Sequence, residues 1–225
     1  MKTKSQIPTK EKIFNVSLDL FSKKGYDNVS IREIAKHVGI KESSIYNHYS
    51  KKENILETIF EYYKKNMIET KTYYENNLDT KTHCQIKTNF NNINIMKGYH
   101  RGSQAIKNQW KEPKMRKILR LMIIELYHNE KIRKFFTEEL INRPIAQWTS
   151  FYQGLINEKI IEEANPKKLA ERYHKYAIFL LFELMLLKVE EDTSDSTIDK
   201  MFDELFDEVE SHFNLVLNSV LLKKE

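Results

Sequence analysis

The stretch from Asn28 to Leu56, NVSIREIAKHVGIKESSIYNHYSKKENIL, concentrates side chains whose types and spacing can do chemistry. If residues 42–49 are helical, successive side chains turn by about 100°. Ile45 and Tyr49 then point to one side, Ser43, Ser44 and Asn47 to the other, and Tyr46 and His48 flank the second group. The outward face offers short hydroxyls, an amide, a phenol and an imidazole. It has no acidic group at its centre, because Glu42 comes from the inner side of the first turn. These are groups that hydrogen-bond to base edges or to phosphate oxygens. Catalysis would need a nucleophile with its base, a metal cluster or a phosphate loop. The chain has no Gly-rich loop, no HExxH and no GxSxG. The remaining histidines (His37, His83, His100, His128, His174 and His212) show no ligand spacing. No enzymatic activity, metal or cofactor is therefore expected.

The elements that must hold this face are short and well punctuated. A first helix is expected over Thr9 to Lys24, with Ile13, Phe14, Ser17, Leu20 and Phe21 on one side and Gly25 as its stop. Ser30 caps a second helix, and Glu33 three residues on completes a capping box. Gly39 lies where the chain must bend sharply, which predicts a positive φ. Ala35, four residues earlier, allows close helix approach, and Ile34, Val38, Ile40 and Ile45 supply a miniature core. A third helix is predicted over Glu42 to Tyr49. Ser50-Lys51-Lys52-Glu53 reads as a second capping box, opening a long fourth helix that reaches Asn77. Two short capped helices around a Gly turn form a helix-turn-helix pattern.

Composition agrees with an all-α chain. Five Gly and four Pro in 225 residues are too few for the turns of a sheet protein. Residues 1–56 carry eleven Lys and Arg against six Asp and Glu, whereas the remainder carries twenty-six of each. The whole net charge of +5 therefore sits in the first quarter, as attraction to phosphates would require. The one cysteine, Cys84, excludes an internal disulfide and reads as a bystander. No signal peptide or membrane span is expected, and the apolar run Ala177 to Leu187 is too short to cross a bilayer. These features suit the cytoplasm.

Beyond the fourth helix, Thr80 to Lys111 reads as broken helix. Pro113 opens a helix to His128, Pro144 breaks a pattern running from Asn129 to Asn157, and Asn165-Pro166 opens another to Val189. The last helix has a near-ideal apolar stripe through Ile198, Phe202, Leu205, Val209, Phe213 and Val216. Among the many aromatic residues here, Trp110, Tyr127, Trp148 and Tyr152 are candidates for lining an apolar ligand cavity between helices.

The N-terminal segment resembles the DNA-binding domain of TetR-family regulators. Phe21-Ser22-Lys23-Lys24-Gly25-Tyr26 matches the family's Phe-x-x-x-Gly-Tyr at the end of helix 1. Ile34-Ala35 with Gly39, Ile45-Tyr46-Asn47-His48-Tyr49, and Lys52-Glu53 match its later motifs. The resemblance covers about the first 60 residues. It implies that Tyr46 and Lys52 contact phosphates, that Ser43, Ser44, Asn47 and His48 face the major groove, and that Ser30 and Arg32 anchor the DNA backbone. Two positions depart from the pattern. Lys41 stands where the family usually has a capping Ser, which weakens the cap but adds a cation near DNA. Asn47 stands where an aromatic residue is frequent, and its amide suits adenine.

The resemblance further implies a three-helix DNA-binding domain over residues 1–56 and a helical effector-binding and dimerisation domain over 57–225. The expected protein is a homodimeric transcriptional regulator on a pseudo-palindromic operator in double-stranded DNA. It would be a repressor released by a small apolar or aromatic effector, with helices 166–189 and 198–220 pairing in the dimer. A same-fold regulator controlled by protein partners is the alternative.

Overall fold

A computed structural model describes residues 7–77, 92–189 and 193–222. Among them the regular elements are helices: α1 (Thr9–Lys24), α2 (Ile31–Val38), α3 (Glu42–Tyr46), α4 (Lys52–Asn77), α5 (Asn92–Lys111), α6 (Pro113–Glu125), α7 (Glu130–Phe136), α8 (Arg143–Asn157), α9 (Pro166–Glu183) and α10 (Asp195–Asn218). The only extended pairing among these residues is a single antiparallel bridge between Ile161 and Leu221. The all-α expectation holds. Cys84 lies outside the described residues.

Several helix starts follow directly from sequence. The Asn165 side chain accepts from the Lys168 N–H at 3.0 Å, and Pro166 occupies the first turn, where its missing N–H costs nothing. The Glu112 carboxylate accepts from the Met115 N–H at 2.9 Å ahead of Pro113. Segment 92–111, expected as broken helix, is one continuous helix, and α6 stops at Glu125, three residues short of His128.

The expected break at Pro144 takes a specific form. Thr137–Asn142 winds as a π-helical turn between α7 and α8. An α-helical partner for the Leu140 carbonyl would be the N–H of residue 144, which proline lacks. The His174 imidazole of α9 takes that role, its Nε2 lying 2.6 Å from the Leu140 oxygen.

The chain divides into two compact units. The first comprises residues up to Ile68 together with Glu112–Arg133, and the second comprises Glu69–Lys111 and the residues from Lys134 onward. Compactness thus groups α6 with the N-terminal helices, a division that differs from a cut at residue 56. In the first unit α1 packs on both α2 and α6. Its core holds Ile13, Leu18, Phe21, Ile34, Ile45, Ile55, Ile59, Ile118 and Leu121. In the second unit α9 packs on α8 and α10, and α10 packs on α5. Its core is strongly aromatic.

Candidate nucleic-acid interface

α2 begins after Ser30, which follows a turn at Asp27 and Asn28 and is itself extended. Its Oγ accepts from the Glu33 N–H at 3.1 Å, a cap of about 1 kcal/mol. The reciprocal half of the expected box does not close, because the Glu33 carboxylate turns to Lys24 at 2.6 Å. That hydrogen bond holds the Glu33 carboxyl below its ordinary range. Gly39 ends α2 at φ 79°, ψ 34°, and its N–H bonds the Ala35 carbonyl at 3.0 Å. A Cβ at Gly39 would meet nothing within 4 Å, so the positive φ alone calls for glycine there.

α3 ends at Tyr46 instead of Tyr49, and the turn continues with the His48 and Tyr49 N–H groups both bonded to the Ile45 carbonyl at 2.9 Å. Lys41 precedes α3 with no side-chain cap, as its departure from a capping Ser predicts. Ile45 and Tyr49 are buried, as helical spacing requires. Ser30, Arg32, Lys41, Ser43, Tyr46, Asn47 and His48 are exposed, and Ser44 is half-buried. The side chains of Arg32, Lys41, Ser43, Tyr46, Asn47 and His48 make no hydrogen bond or ion pair with the described residues. The six therefore present uncommitted donors and acceptors from α2 and α3. Sequence reading missed Lys10, whose ammonium stands 5.5 Å from the centre of the Tyr49 ring and adds a cation beside α3.

Lys52 is placed differently from a free surface cation. Its side chain is half-buried, and its Nζ donates to the Tyr26 carbonyl at 2.9 Å and the Val29 carbonyl at 3.0 Å. It also lies 4.2 Å from the centre of the Tyr26 ring, a cation–π distance. One N–H remains for a partner outside the chain. The second capping box is also replaced: Ser50 Oγ donates to the Asn54 side chain at 2.7 Å, and Asn54 donates to Glu57 at 3.0 Å.

The four ligand-pocket candidates separate. Trp148 and Tyr152 meet in an aromatic cluster of the second unit, 6.4 Å between ring centres. Trp110 is buried in the same unit, on α5. Tyr127 is not part of it: it sits 90% exposed in the turn after α6, in the first unit. The cluster instead includes Tyr99, Phe151, Tyr173 and Phe213, which sequence reading did not select. Tyr99 stacks on Phe213 at 3.9 Å, and its hydroxyl is 2.9 Å from that of Tyr173. Burial pushes the Tyr99 phenol up to about 12. The Tyr152 hydroxyl is fully buried and has no hydrogen-bond partner among the described residues. Helical periodicity shows that each of these rings faces inward, but not which rings meet across four helices.

Comparison with known proteins bears on both units. Residues 13–59 match the sequence profile described as bacterial regulatory proteins, tetR family. The negative transcriptional regulator IcaR of the biofilm operon icaADBC in Staphylococcus epidermidis is 43% identical over 58 residues, which is 24% of this chain and 31% of IcaR. The chain thus matches under a third of that relative's length. A putative TetR-family regulator from Mesorhizobium loti superposes with a TM-score of 0.60 at 16% identity, covering 95% of this chain and 97% of its own. Thermus thermophilus FadR, a TetR-family repressor solved in complex with lauroyl-CoA, gives 0.55 at 13% identity, covering 96% and 97%. At such identity the structural likeness speaks for the fold alone. Residues 13–59 thus match the sequence pattern of the tetR family of bacterial regulatory proteins, and the chain is similar in fold to structures of TetR-family regulators over nearly its whole length.

Proposed function

We propose that this chain is a sequence-specific DNA-binding repressor of transcription, acting as a homodimer that a small effector releases from its operator. The observation that carries the reading is the exposed set Arg32, Lys41, Ser43, Tyr46, Asn47 and His48, with no hydrogen-bond partners among the described residues. Side chains that have something to bond and nothing in their own chain to bond with suit an external polar partner. The excess positive charge of residues 1–56 makes that partner an anion. Within this reading Ser30, Arg32, Tyr46 and Lys52 hold the DNA backbone, Ser43, Ser44, Asn47 and His48 face the major groove, and Lys41 adds a cation. Residues 1–56 hold the reading function and 57–225 carry dimerisation and the effector.

Repression is supported by the negative regulator IcaR, whose similarity falls on the reading head. A single short α3 reads too few bases for a unique site, so two copies on a pseudo-palindrome are needed. Exposed Phe179, Leu186, Leu187 and Leu215 on α9, its π-helical extension and α10 give the pairing an apolar surface. The effector is assigned to the ring cluster around Tyr99, Trp148, Tyr152 and Tyr173. An apolar or aromatic molecule suits it, with a polar group for the unpartnered Tyr152 hydroxyl. FadR, of the same fold, holds the acyl compound lauroyl-CoA. Working on DNA places the protein in the cytoplasm, and among the described residues no helix is long and apolar enough to cross a membrane.

The experiment is selection of bound duplexes from a random pool, followed by a thermal-shift screen of apolar and aromatic compounds. Recovery of a pseudo-palindrome is the expected result, and a pool that stays random sinks the reading. A compound that raises Tm must also weaken operator binding, and the operator must weaken the compound by the same factor, because coupling between sites is reciprocal. A screen without any shift would favour control by a protein partner.

A further inference from the structure

The loop that joins α1 to α2 is gripped by two buried or half-buried charges of opposite sign. On one side, Glu125 at the end of α6 accepts the Tyr26 backbone N–H through Oε1 at 2.8 Å, across 99 residues of sequence. On the other, the Lys52 ammonium takes the carbonyls of Tyr26 and Val29. Tyr26 thus has a carboxylate at its N–H and an ammonium at its C=O. Gly25 is part of the arrangement. It holds φ 84°, and a Cβ there would lie 2.5 Å from Glu125 Oε1. The carboxylate reaches the loop because residue 25 has no side chain.

The side chain of Glu125 is ill suited to a purely stabilising role. The residue is 3% exposed, and its second oxygen, Oε2, has no partner among the described residues. Burying a carboxylate with one accepted hydrogen bond and one bare oxygen is costly, and an apolar residue of similar volume is often neutral or better for stability. What the carboxylate does provide is a fixed position for the loop. That loop delivers Ser30, the cap of α2, and α2 in turn sets α3 through the Gly39 turn.

We propose that Glu125 is a positioning residue for DNA reading: it locks the Tyr26–Val29 loop so that α2 and α3 meet their half-site in register. The proposal rests on the DNA-reading function put forward above. It places the reading geometry under the control of α6, which the resemblance in the first 60 residues does not cover.

The test compares wild type with Glu125→Met, Glu125→Ala and Glu125→Gln. Each is measured for Tm, for exchange of the Tyr26 amide with deuterium, and for affinity toward two duplexes: the one wild type selects from a random pool and a scrambled one of equal length and composition. Glu125→Met keeps the volume and removes the acceptor. It relieves the bare Oε2 but leaves the Tyr26 N–H unpaired, so it should change Tm little, speed exchange at Tyr26, and weaken the selected duplex by about tenfold, the size of one lost hydrogen bond to a charged group. Affinity for the scrambled duplex, set by phosphate attraction, should change less than about twofold. Glu125→Gln keeps an acceptor oxygen and should restore reading. Glu125→Ala should follow Met in reading, with a cavity's loss of Tm added. The proposal is overturned if Met binds the selected duplex like wild type, if it loses both duplexes equally, if Gln does no better than Met, or if neither Met nor Ala folds. A pool that yields no preferred duplex instead removes the DNA-reading function itself, and this role with it.

Discussion

On α3 and the turn that follows, Asn47 carries the one amide, a group that can accept from and donate to the same adenine edge. Asn47→Ala should cost about 1–3 kcal/mol on the preferred duplex and relax preference at one base position. Binding measured against all single-base operator variants checks it, and a uniform loss would mean that Asn47 holds the backbone. Lys52 calls for a different experiment. With its Nζ on two carbonyls of the α1–α2 loop, Lys52→Ala should lower stability by about 1–3 kcal/mol, the scale of hydrogen bonds to a charged group. If its third hydrogen reaches a phosphate, as the family resemblance implies, the slope of log K against log salt should also fall in magnitude by about one. Thermal denaturation and salt titration separate the two roles. Residue types made the reading face legible in the sequence, because helical geometry alone divides Ile45 and Tyr49 from Ser43 and Asn47. They left Lys52's carbonyl partners hidden, since nothing in a chain's order tells which carbonyls a lysine 23 or 26 residues away will meet.

Elements were legible where a local signal ends them. Ser30, Gly39 and Asn165 each act within three or four residues, and each does in space what its type implies. The misreadings lie where another side chain competes for a group of the expected box. Lys24 draws Glu33 away from the expected capping box, and Asn54 takes the Ser50 hydroxyl. Gly39→Ala would force a side chain into the left-handed region and should destabilise by roughly 1–2 kcal/mol, read as a lower Tm. The π turn before Pro144 gives a pH prediction. Burial lowers the pKa of His174 from its ordinary 6.5, against the raising effect of its bond to the Leu140 carbonyl. The unfolded chain therefore binds this proton more readily than the folded one. Stability is fully present above 6.5 and falls as pH drops below it toward the depressed folded value. Tm measured from about pH 7 to about pH 5 should decline. Glu or Asp protonation contributes its own slope, so the diagnostic is His174→Gln, which can still donate to Leu140 but does not titrate. Its decline should be shallower than wild type, and an equal slope would clear His174 of the effect.

At the scale of the molecule, the dimer is the sharpest expectation. Phe179 is 65% and Leu187 77% exposed in the single chain, an unfavourable display of apolar surface unless something covers it. Phe179→Glu with Leu187→Glu should turn a dimer into a monomer by sedimentation. It should also weaken operator binding far more than binding to a single half-site. A variant that stays dimeric would move the interface elsewhere. The family resemblance implied α9 and α10 as the pairing helices, but not which side chains each would leave outside. That depends on how α8, α9 and α10 share their faces.

The first unit is interrupted: its residues up to Ile68 are completed by Glu112–Arg133, with Glu69–Lys111 belonging to the other unit. A ribosome makes the chain from one end. While it adds residues 69–133, α1 waits without α6, and the apolar residues of its unit lack part of their cover. At bacterial elongation rates that wait lasts roughly 3–13 seconds. The nascent head is therefore a natural client for a chaperone during that interval. An N-terminal fragment cut after α4 would stay in that unfinished condition permanently, which makes this head a poor module to transplant into a fusion.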